Sequence, residues 1–207
     1  REVQDDPGSD VVVLTGAGRA FCAGGDVAWF QAMIDDPAAF RRLVPEAKKI
    51  VFDLLDLEKP IICRLNGAAA GLGATLALLC DVIVAADTAK IGDPHVRMGL
   101  VAGDGGAVIW PQLVGYARAK ELLLTGDMLT AHEAERIGLI NRVVPAAELD
   151  AAVSGLAEKL AGGATLAVRW TKTVVNIPLK ELAHTLMDAS LAYEMASNET
   201  ADHQEAV

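Results

Sequence analysis

Short apolar runs alternate along this chain with longer segments whose apolar positions recur at helical spacing. Val11-Val12-Val13-Leu14-Thr15 is β-branched and predicts a strand. Pro60-Ile61-Ile62-Cys63-Arg64-Leu65, apolar almost throughout and opened by a proline, predicts a short buried strand. Residues 82–86 form another apolar strand, and Lys90-Ile91-Gly92 a shorter one after the Asp87-Thr88 turn. Between them, residues 26–34 predict a helix that Asp35-Asp36-Pro37 breaks. Leu43, Ala47, Ile50, Val51, Leu54 and Leu55 then mark one long amphipathic helix with a scaffold role. Two helices follow at 107–115 and 117–124, and Thr130-Ala131-His132-Glu133 fits a capping box whose helix ends at Gly138. His132 is therefore expected as a solvated first-turn residue. Beyond Pro145 the pattern is wholly helical, with Leu149, Val153, Leu156 and Leu160 on one stripe and Leu182, Leu186, Ala189 and Tyr193 on another. The polar segment 1–10 looks like the tail of a helix ending in a Pro7-Gly8 turn. The alternation from residue 11 to residue 92 predicts an α/β fold of repeated ββα or βαβ units, in a core taken as 1–145 and followed by a helical region over 146–207.

Two glycine-rich turns interrupt the pattern. The first, Gly16-Ala17-Gly18-Arg19-Ala20-Phe21-Cys22-Ala23-Gly24-Gly25-Asp26, follows the opening strand. The second, Asn66-Gly67-Ala68-Ala69-Ala70-Gly71-Leu72-Gly73, leads into residues 74–79, which are apolar on every side and rich in Ala and Leu, hence a buried helix. A helix that begins inside a protein presents free N–H groups at its first turn, where negative charge is favoured. Gly71 lacks a Cβ, so an anionic atom can sit close to its amide, and the turn reads as a prepared oxyanion site. Alone, Gly71 and Gly73 equally permit close helix packing. Gly16-Ala17-Gly18 after a strand also opens like a dinucleotide fingerprint, but the third glycine position holds Phe21 and more glycines follow where a helix should run.

With Phe21-Cys22-Ala23-Gly24-Gly25-Asp26 and the Asn66-to-Gly71 segment in this order, the sequence resembles the crotonase superfamily of enoyl-CoA hydratases and isomerases, from about residue 11 to Thr171-Lys172. The resemblance implies a spiral of ββα units and an oxyanion hole built from the backbone N–H groups of Ala23 and Gly71. These would hold the thioester oxygen of an acyl-CoA and stabilise its enolate. It further implies substrate or CoA contacts from Phe21, Cys22, Gly24, Asp26, Trp29, Ala69 and Gly73. Trp29, Phe30 and Met33 are candidate pocket walls, or equally ordinary core. Lys172 is a candidate for a CoA phosphate, although a solvated helix lysine is the simpler expectation. The family's helical tail packs against neighbouring subunits in a trimer or a dimer of trimers. Relatives carry an earlier strand–helix segment that supplies part of the CoA wall, and it is expected to be missing here.

The chemistry departs from the hydratase pattern. Hydratases of this kind use two glutamates, and the matching positions here hold Thr75 and His95. Position 75 lies one helical turn after Gly71, on the same face. Threonine can hydrogen-bond there but cannot serve as a base near neutral pH. His95, with an ordinary pKa of about 6.5, suits proton transfer. Asp104 comes nine residues later, and Gly99 and Gly103 would let the chain double back to bring its carboxylate to the imidazole. This His/Asp pair resembles that of the β-diketone hydrolases of the same superfamily, which cleave a C–C bond. Thr75, His95 and Asp104 are thus the candidate catalytic set. His95 is alternatively a pocket residue without chemistry, and Asp104 alternatively a cap on the helix at 107. Hydration is disfavoured, isomerisation and C–C hydrolysis stay open, and a non-catalytic acyl-CoA-binding protein is the third reading.

Composition narrows this little further. The 207 residues are about half apolar, enough for one full core. A net charge of −10 argues against nucleic acid or an anionic membrane as partner, while leaving room for an anionic cofactor at helix termini. No stretch of about 20 apolar residues spans a membrane and no signal-peptide pattern opens the chain, so a soluble, cytoplasmic protein is expected; the resemblance implies a place in fatty-acid metabolism. Cys22, Cys63 and Cys80 are expected as reduced thiols. Cys22 has no base near it in sequence to activate it as a nucleophile. No metal and no permanently bound cofactor are expected, coenzyme A entering as part of the substrate.

Overall fold

The structure is a computed structural model describing residues 2–207; Arg1 lies outside the described residues. Three successive ββα units build two parallel layers. The first unit comprises β1 (Val12–Thr15), β2 (Ala20–Cys22), α2 (Val27–Asp35) and α3 (Pro37–Asp56). The second has β3 (Ile61–Leu65), β4 (Ala68–Ala70) and α4 (Leu72–Leu78). The third has β5 (Val82–Ala86), β6 (Lys90–Gly92) and α5 (Gly106–Thr125). The first strand of each unit enters one sheet, ordered β1-β3-β5, and the second strand enters the other, ordered β2-β4-β6. Each unit thus advances both sheets by one strand, which is the spiral implied by the family resemblance. β7 (Met128–Thr130) closes the second sheet antiparallel to β6, and after α6 (Ala131–Arg136) the strand β8 (Arg142–Val144) closes the first.

Burial follows the two-residue period of the strands. Ile61, Cys63 and Leu65 on β3 face the main core with Trp110, Leu139 and Met187, whereas Ile62 and Val84 face α7 (Leu149–Ala161) through Leu149 and Val153. The expected stripe at 149, 153, 156 and 160 therefore packs as read. The capping box at Thr130 and Glu133 is present, Gly138 follows its helix at φ 78, and His132 is exposed. α5 covers both helices expected at 107–124, with a break at Gly115 (φ 77, ψ 159). Asp36 both ends α2 and caps α3, accepting from the Ala38 N–H at 3.1 Å.

Two expectations about helices need correction. α8 (Thr165–Asn198) does not bury the stripe 182, 186, 189, 193: Ala189 and Tyr193 are exposed. Its buried face is Ala183, Met187, Leu191, Glu194 and Asn198, one register step away, and it carries a carboxylate inward. α3 is more than scaffold, since Phe40, Leu43, Val44, Ala47 and Ile50 wall the main cavity. α1 (Glu2–Asp5) and the turn at Pro7 are tied down by buried Lys59, whose Nζ donates to the Val3 and Asp6 carbonyls at 2.6 Å. A short α9 (Ala201–Ala206) ends the chain, with His203 fully buried against Met98.

Candidate active site

β6 delivers the chain to Asp93, Pro94 and a tight helical turn at His95–Met98. The buried Asp93 carboxylate accepts the His95 backbone N–H at 3.3 Å and pairs with the ring Nδ1. Gly99, at φ 65, ends that turn; the chain doubles back through Gly103, and Asp104 Oδ2 stands 3.5 Å from His95 Nε2. The approach of His95 and Asp104 is the one expected from the flanking glycines. Thr75 Oγ1 donates to Asp104 Oδ1 at 3.1 Å, so the imidazole and the carboxylate are each fixed from a second side. The cap position of α5 falls on Gly105, not on Asp104, although the Asp104 carboxylate also accepts from the Gly106 N–H at the helix start.

Gly71 is needed where it stands, for a reason other than the expected one. Its backbone sits at φ 54, ψ −122, which L side chains rarely adopt. A Cβ there would lie 3.1 Å from His95 Cε1, so the missing side chain makes room for the imidazole. Its N–H donates to the Gly92 carbonyl at 3.1 Å, within the run of β4 toward β6. That amide is therefore not available to a ligand oxygen, and the oxyanion assignment to Gly71 is corrected. The neighbouring Leu72 opens α4, where an N–H has no intrahelical acceptor. Among the described residues neither the Leu72 nor the Ala23 amide donates to a backbone carbonyl outside its own element.

Ala23, Gly24, Trp29, Phe30, Gly71, Leu72, His95 and Asp104 share the wall of one cavity of about 650 Å³, otherwise lined mainly by apolar side chains of α3 and of the 94–100 turn, with Glu46 and Arg97 among them. The remaining candidates do not reach it. Phe21 packs against the core, Ala69 is fully buried, and Met33 is core. Asp26 caps α2, accepting from the Ala28 and Trp29 amides at 2.8 and 3.3 Å. Gly73 lets α4 approach Cys22, whose carbonyl oxygen would lie 2.2 Å from a Cβ at that position, so this glycine serves close packing and Cys22 faces the helix. Thr75 is fully buried and touches Asp104 instead of the cavity, which makes it a positioning residue. Lys172 is neither solvated nor near the cavity: its Nζ pairs with Asp81 at 2.8 Å and donates to the Lys59 carbonyl at 3.0 Å. The three cysteines are free thiols, and the hydrogen bond with Cys80, followed by burial, pushes the Cys63 thiol well up.

Burial makes the electrostatics of the cavity wall strong. Desolvation alone would lower the His95 pKa, but the charges of Asp104 and Asp93, the Asp93 hydrogen bond and Glu194 together raise it to about 10. The ring is thus an imidazolium at neutral pH. Burial raises the Asp104 carboxyl, with Asp93 adding to the rise and the imidazolium opposing it. Glu194, on the buried face of α8, also lines the cavity; burial and the Asp104 charge push it up to about 8. Asp93 and Glu194 are the two site residues the motifs do not reveal. Asp93 had a signal in Gly92-Asp93-Pro94-His95, where an Asx-type turn folds a carboxylate onto the residue two places on. The signal for Glu194 is its place in the 183-187-191-194-198 spacing, a helical face that buries it.

The sequence model for enoyl-CoA hydratase/isomerase matches residues 1–207. A crotonyl-CoA hydratase of Syntrophomonas wolfei is 41% identical over 176 residues, covering 84% of this chain and 66% of the relative. A 1,2-epoxyphenylacetyl-CoA isomerase of Escherichia coli is 35% identical over 209 residues, covering 100% of this chain and 80% of the relative. Among solved structures, a β-diketone hydrolase of the cyanobacterium Anabaena, bound to (S)-3-oxocyclohexyl acetic acid, superposes with a TM-score of 0.88 at 32% identity, over 96% of this chain and 79% of that one. The chain spans between 61% and 66% of the length of the first hydratase relatives it matches. No helix among the described residues is long and apolar enough to cross a membrane. Two sheets fed strand by strand from ββα units, the paired glycine turns and the match over the whole chain agree: the chain belongs to the enoyl-CoA hydratase/isomerase family of the crotonase superfamily.

Proposed function

We propose that this protein isomerises an acyl-CoA thioester through an enolate, with Asp104 moving the proton. The observation that carries this is the His95 imidazole held between the buried carboxylates of Asp93 and Asp104 on the wall of an apolar cavity that also presents Ala23 and Leu72. Both ring nitrogens face carboxylates and the ring stays charged at neutral pH, so it is a poor base. Asp104, raised by burial, is the better one: a carboxylate whose pKa moves toward the working pH transfers protons more effectively. In this scheme the thioester oxygen accepts from the Ala23 and Leu72 amides, and Asp104 removes the α-proton. The developing negative charge is then met by oriented N–H dipoles and by the nearby imidazolium. Thr75 and Asp93 position the pair. Hydration is disfavoured because positions 75 and 95 hold no carboxylates. The isomerase relative that aligns with the whole of this chain, and of which this chain covers 80%, supports the same reaction class. Coenzyme A enters with the substrate, and no permanently bound cofactor is invoked. Assembly as a trimer or hexamer, burying the exposed apolar face of α8 at Leu166, Trp170 and Val174, belongs to the same proposal.

A second reading, hydrolysis of a C–C bond in a β-diketone or 3-oxoacyl substrate, is favoured by the likeness to the β-diketone hydrolase. There a carboxylate would activate water, and the departing carbon would leave as an enolate held by the same amides. The test is proton exchange: butyryl-CoA is incubated with the protein in D2O and loss of the α-proton signal is followed by NMR. Exchange that falls about 100-fold or more in Asp104→Asn supports the enolate scheme. No exchange in the wild type refutes it and leaves acyl-CoA binding without turnover; equal exchange in the variant refutes Asp104 as the base and assigns the proton to another group. Product analysis with 3-enoyl-CoA and cyclic β-diketones then separates isomerisation from hydrolysis.

A further inference from the structure

We propose that Glu194 is a second proton-transfer group of this cavity, protonating the substrate at a carbon remote from the one Asp104 deprotonates. The inference rests on the enolate reading above. α8 carries Glu194 inward on its buried face, and the residue is only 7% exposed while lining the cavity together with Asp104 and His95. Its Oε2 has no hydrogen-bond partner among the described residues. A buried carboxyl oxygen left unpaired costs about 1–3 kcal/mol, so a fold that keeps one needs a reason. Among the described residues no basic side chain forms an ion pair with it within 4 Å. The backbone has instead been shaped to admit it: a Cβ on Gly103 would lie 2.7 Å from Glu194 Oε2, so the carboxyl packs against the chain immediately before Asp104. Two carboxyl groups and one imidazolium thus share an apolar wall, and like charges crowded this way keep one of the acids protonated. Glu194, whose Oε2 meets no donor, is the acid; Asp104, which accepts from Thr75 and faces the imidazolium, is the base.

The step balances for a 3-enoyl thioester. Asp104 takes a proton from C2; the C–H pair spreads over C2, C3, C4 and the thioester oxygen. The Glu194 O–H bond breaks and its proton bonds to C4, while the electron pair closes a double bond between C2 and C3. No atom is gained or lost. Asp104 is left protonated and Glu194 ionised, and one proton passing from the first to the second through water resets the site.

The experiment pairs two assays on one variant, Glu194→Gln, which keeps the shape of the side chain and is checked for folding by circular dichroism and thermal melting. Isomerisation of 3-hexenoyl-CoA is expected to fall about 100-fold or more, and at least about tenfold further than exchange of the α-protons of butyryl-CoA in D2O, which needs Asp104 but no proton at C4. Glu194→Asp, which retains a carboxyl, is expected to recover part of the isomerisation. With wild-type protein and C2-deuterated 3-hexenoyl-CoA in H2O, the product is expected to carry hydrogen and not deuterium at C4. Deuterium delivered to C4 would show one group carrying the proton both ways and overturn the inference. So would a Glu194→Gln variant that slows both assays equally, or neither. A wild type that exchanges no α-proton removes the enolate reading itself, and this inference with it.

Discussion

Replacing Gly71 by alanine tests the site at the point where backbone and chemistry meet. At φ 54, ψ −122 an L residue is strained, at a cost of about 1–3 kcal/mol. The new Cβ would stand 3.1 Å from His95 Cε1, 3.6 Å from Nε2 and 3.7 Å from Nδ1. The ring must give by a few tenths of an ångström, yet Asp93 holds one nitrogen and Asp104 faces the other at 3.5 Å. Backbone strain and ring displacement together are worth about 2–4 kcal/mol, which for a chain of this size lowers Tm by roughly 5–15 °C. Activity suffers more, because a displacement of about 1 Å in a catalytic group costs about 100-fold. The control is Gly138→Ala, at φ 78 with nothing within 4 Å of the added Cβ: it carries the backbone strain alone. Differential scanning fluorimetry and α-proton exchange are measured on both. Equal melting and equal, wild-type exchange in the two variants would falsify the claim that Gly71 exists to admit the imidazole.

Three further outcomes follow from the same geometry. Thr75→Val removes the donor at 3.1 Å from Asp104 and is expected to cost about 1 kcal/mol and several-fold in exchange rate. Because that bond lowers the Asp104 pKa, the acid limb of the pH–rate profile moves upward, and Thr75→Ser restores it. Lys172→Met strips the Asp81 carboxylate of its buried cation and is expected to lower stability by about 2–4 kcal/mol in chemical denaturation, with the KM for acyl-CoA unchanged. In the folded protein Glu194 is raised from 4.5 to about 8 and His95 from 6.5 to about 10, so both hold protons that the unfolded chain releases. Their stabilisation is complete at low pH and is lost as pH rises, from 4.5 through 8 for Glu194 and from 6.5 through 10 for His95. Tm should therefore fall between about pH 5 and pH 9, and Glu194→Gln should flatten the lower half of that slope.

Local pattern was enough for β1, β3, β5 and β6, where runs such as Ile61-Ile62-Cys63 stand out, and for α6 because a capping box is written in four consecutive residues. It missed β2, β4, β7 and β8, strands of three residues that glycine-rich turns and short connections conceal. It was enough for His95 and Asp104 because glycines on either side announce a reversal. It failed where one position decides which way an atom points. Gly71 and Leu72 are adjacent, and only the bond from the Gly71 amide to Gly92 assigns the free N–H to its neighbour. On α8 the apolar stripe through Leu182 and Leu186 is real but marginal to the core, and the choice between it and the face through Met187 and Leu191 depends on what packs there. Lys172 follows the same rule: nothing local marks a lysine as buried, since its partner Asp81 is 91 residues away in the chain.

Asp93 bears on the chemistry in a way that a simple His/Asp pair would not. A lone imidazolium beside Asp104 would hold that carboxylate ionised and weakly basic. Asp93 already neutralises the imidazolium from its Nδ1 side, and its own charge raises Asp104. Asp104 is thereby a stronger base than its ion pair alone would allow. Asp93→Asn should leave the ring in place through the amide oxygen while deleting the charge. Asp104 then becomes less basic, the acid limb of the pH–rate profile moves downward, and the plateau rate falls by about tenfold for each unit lost, or less where the Brønsted slope is shallow. Thr75→Val acts on the same carboxylate in the opposite sense, so the two variants shift one limb in opposite directions. Limbs that move the same way, or do not move, would mean that the titrating group is not Asp104 and that the proton travels by another residue.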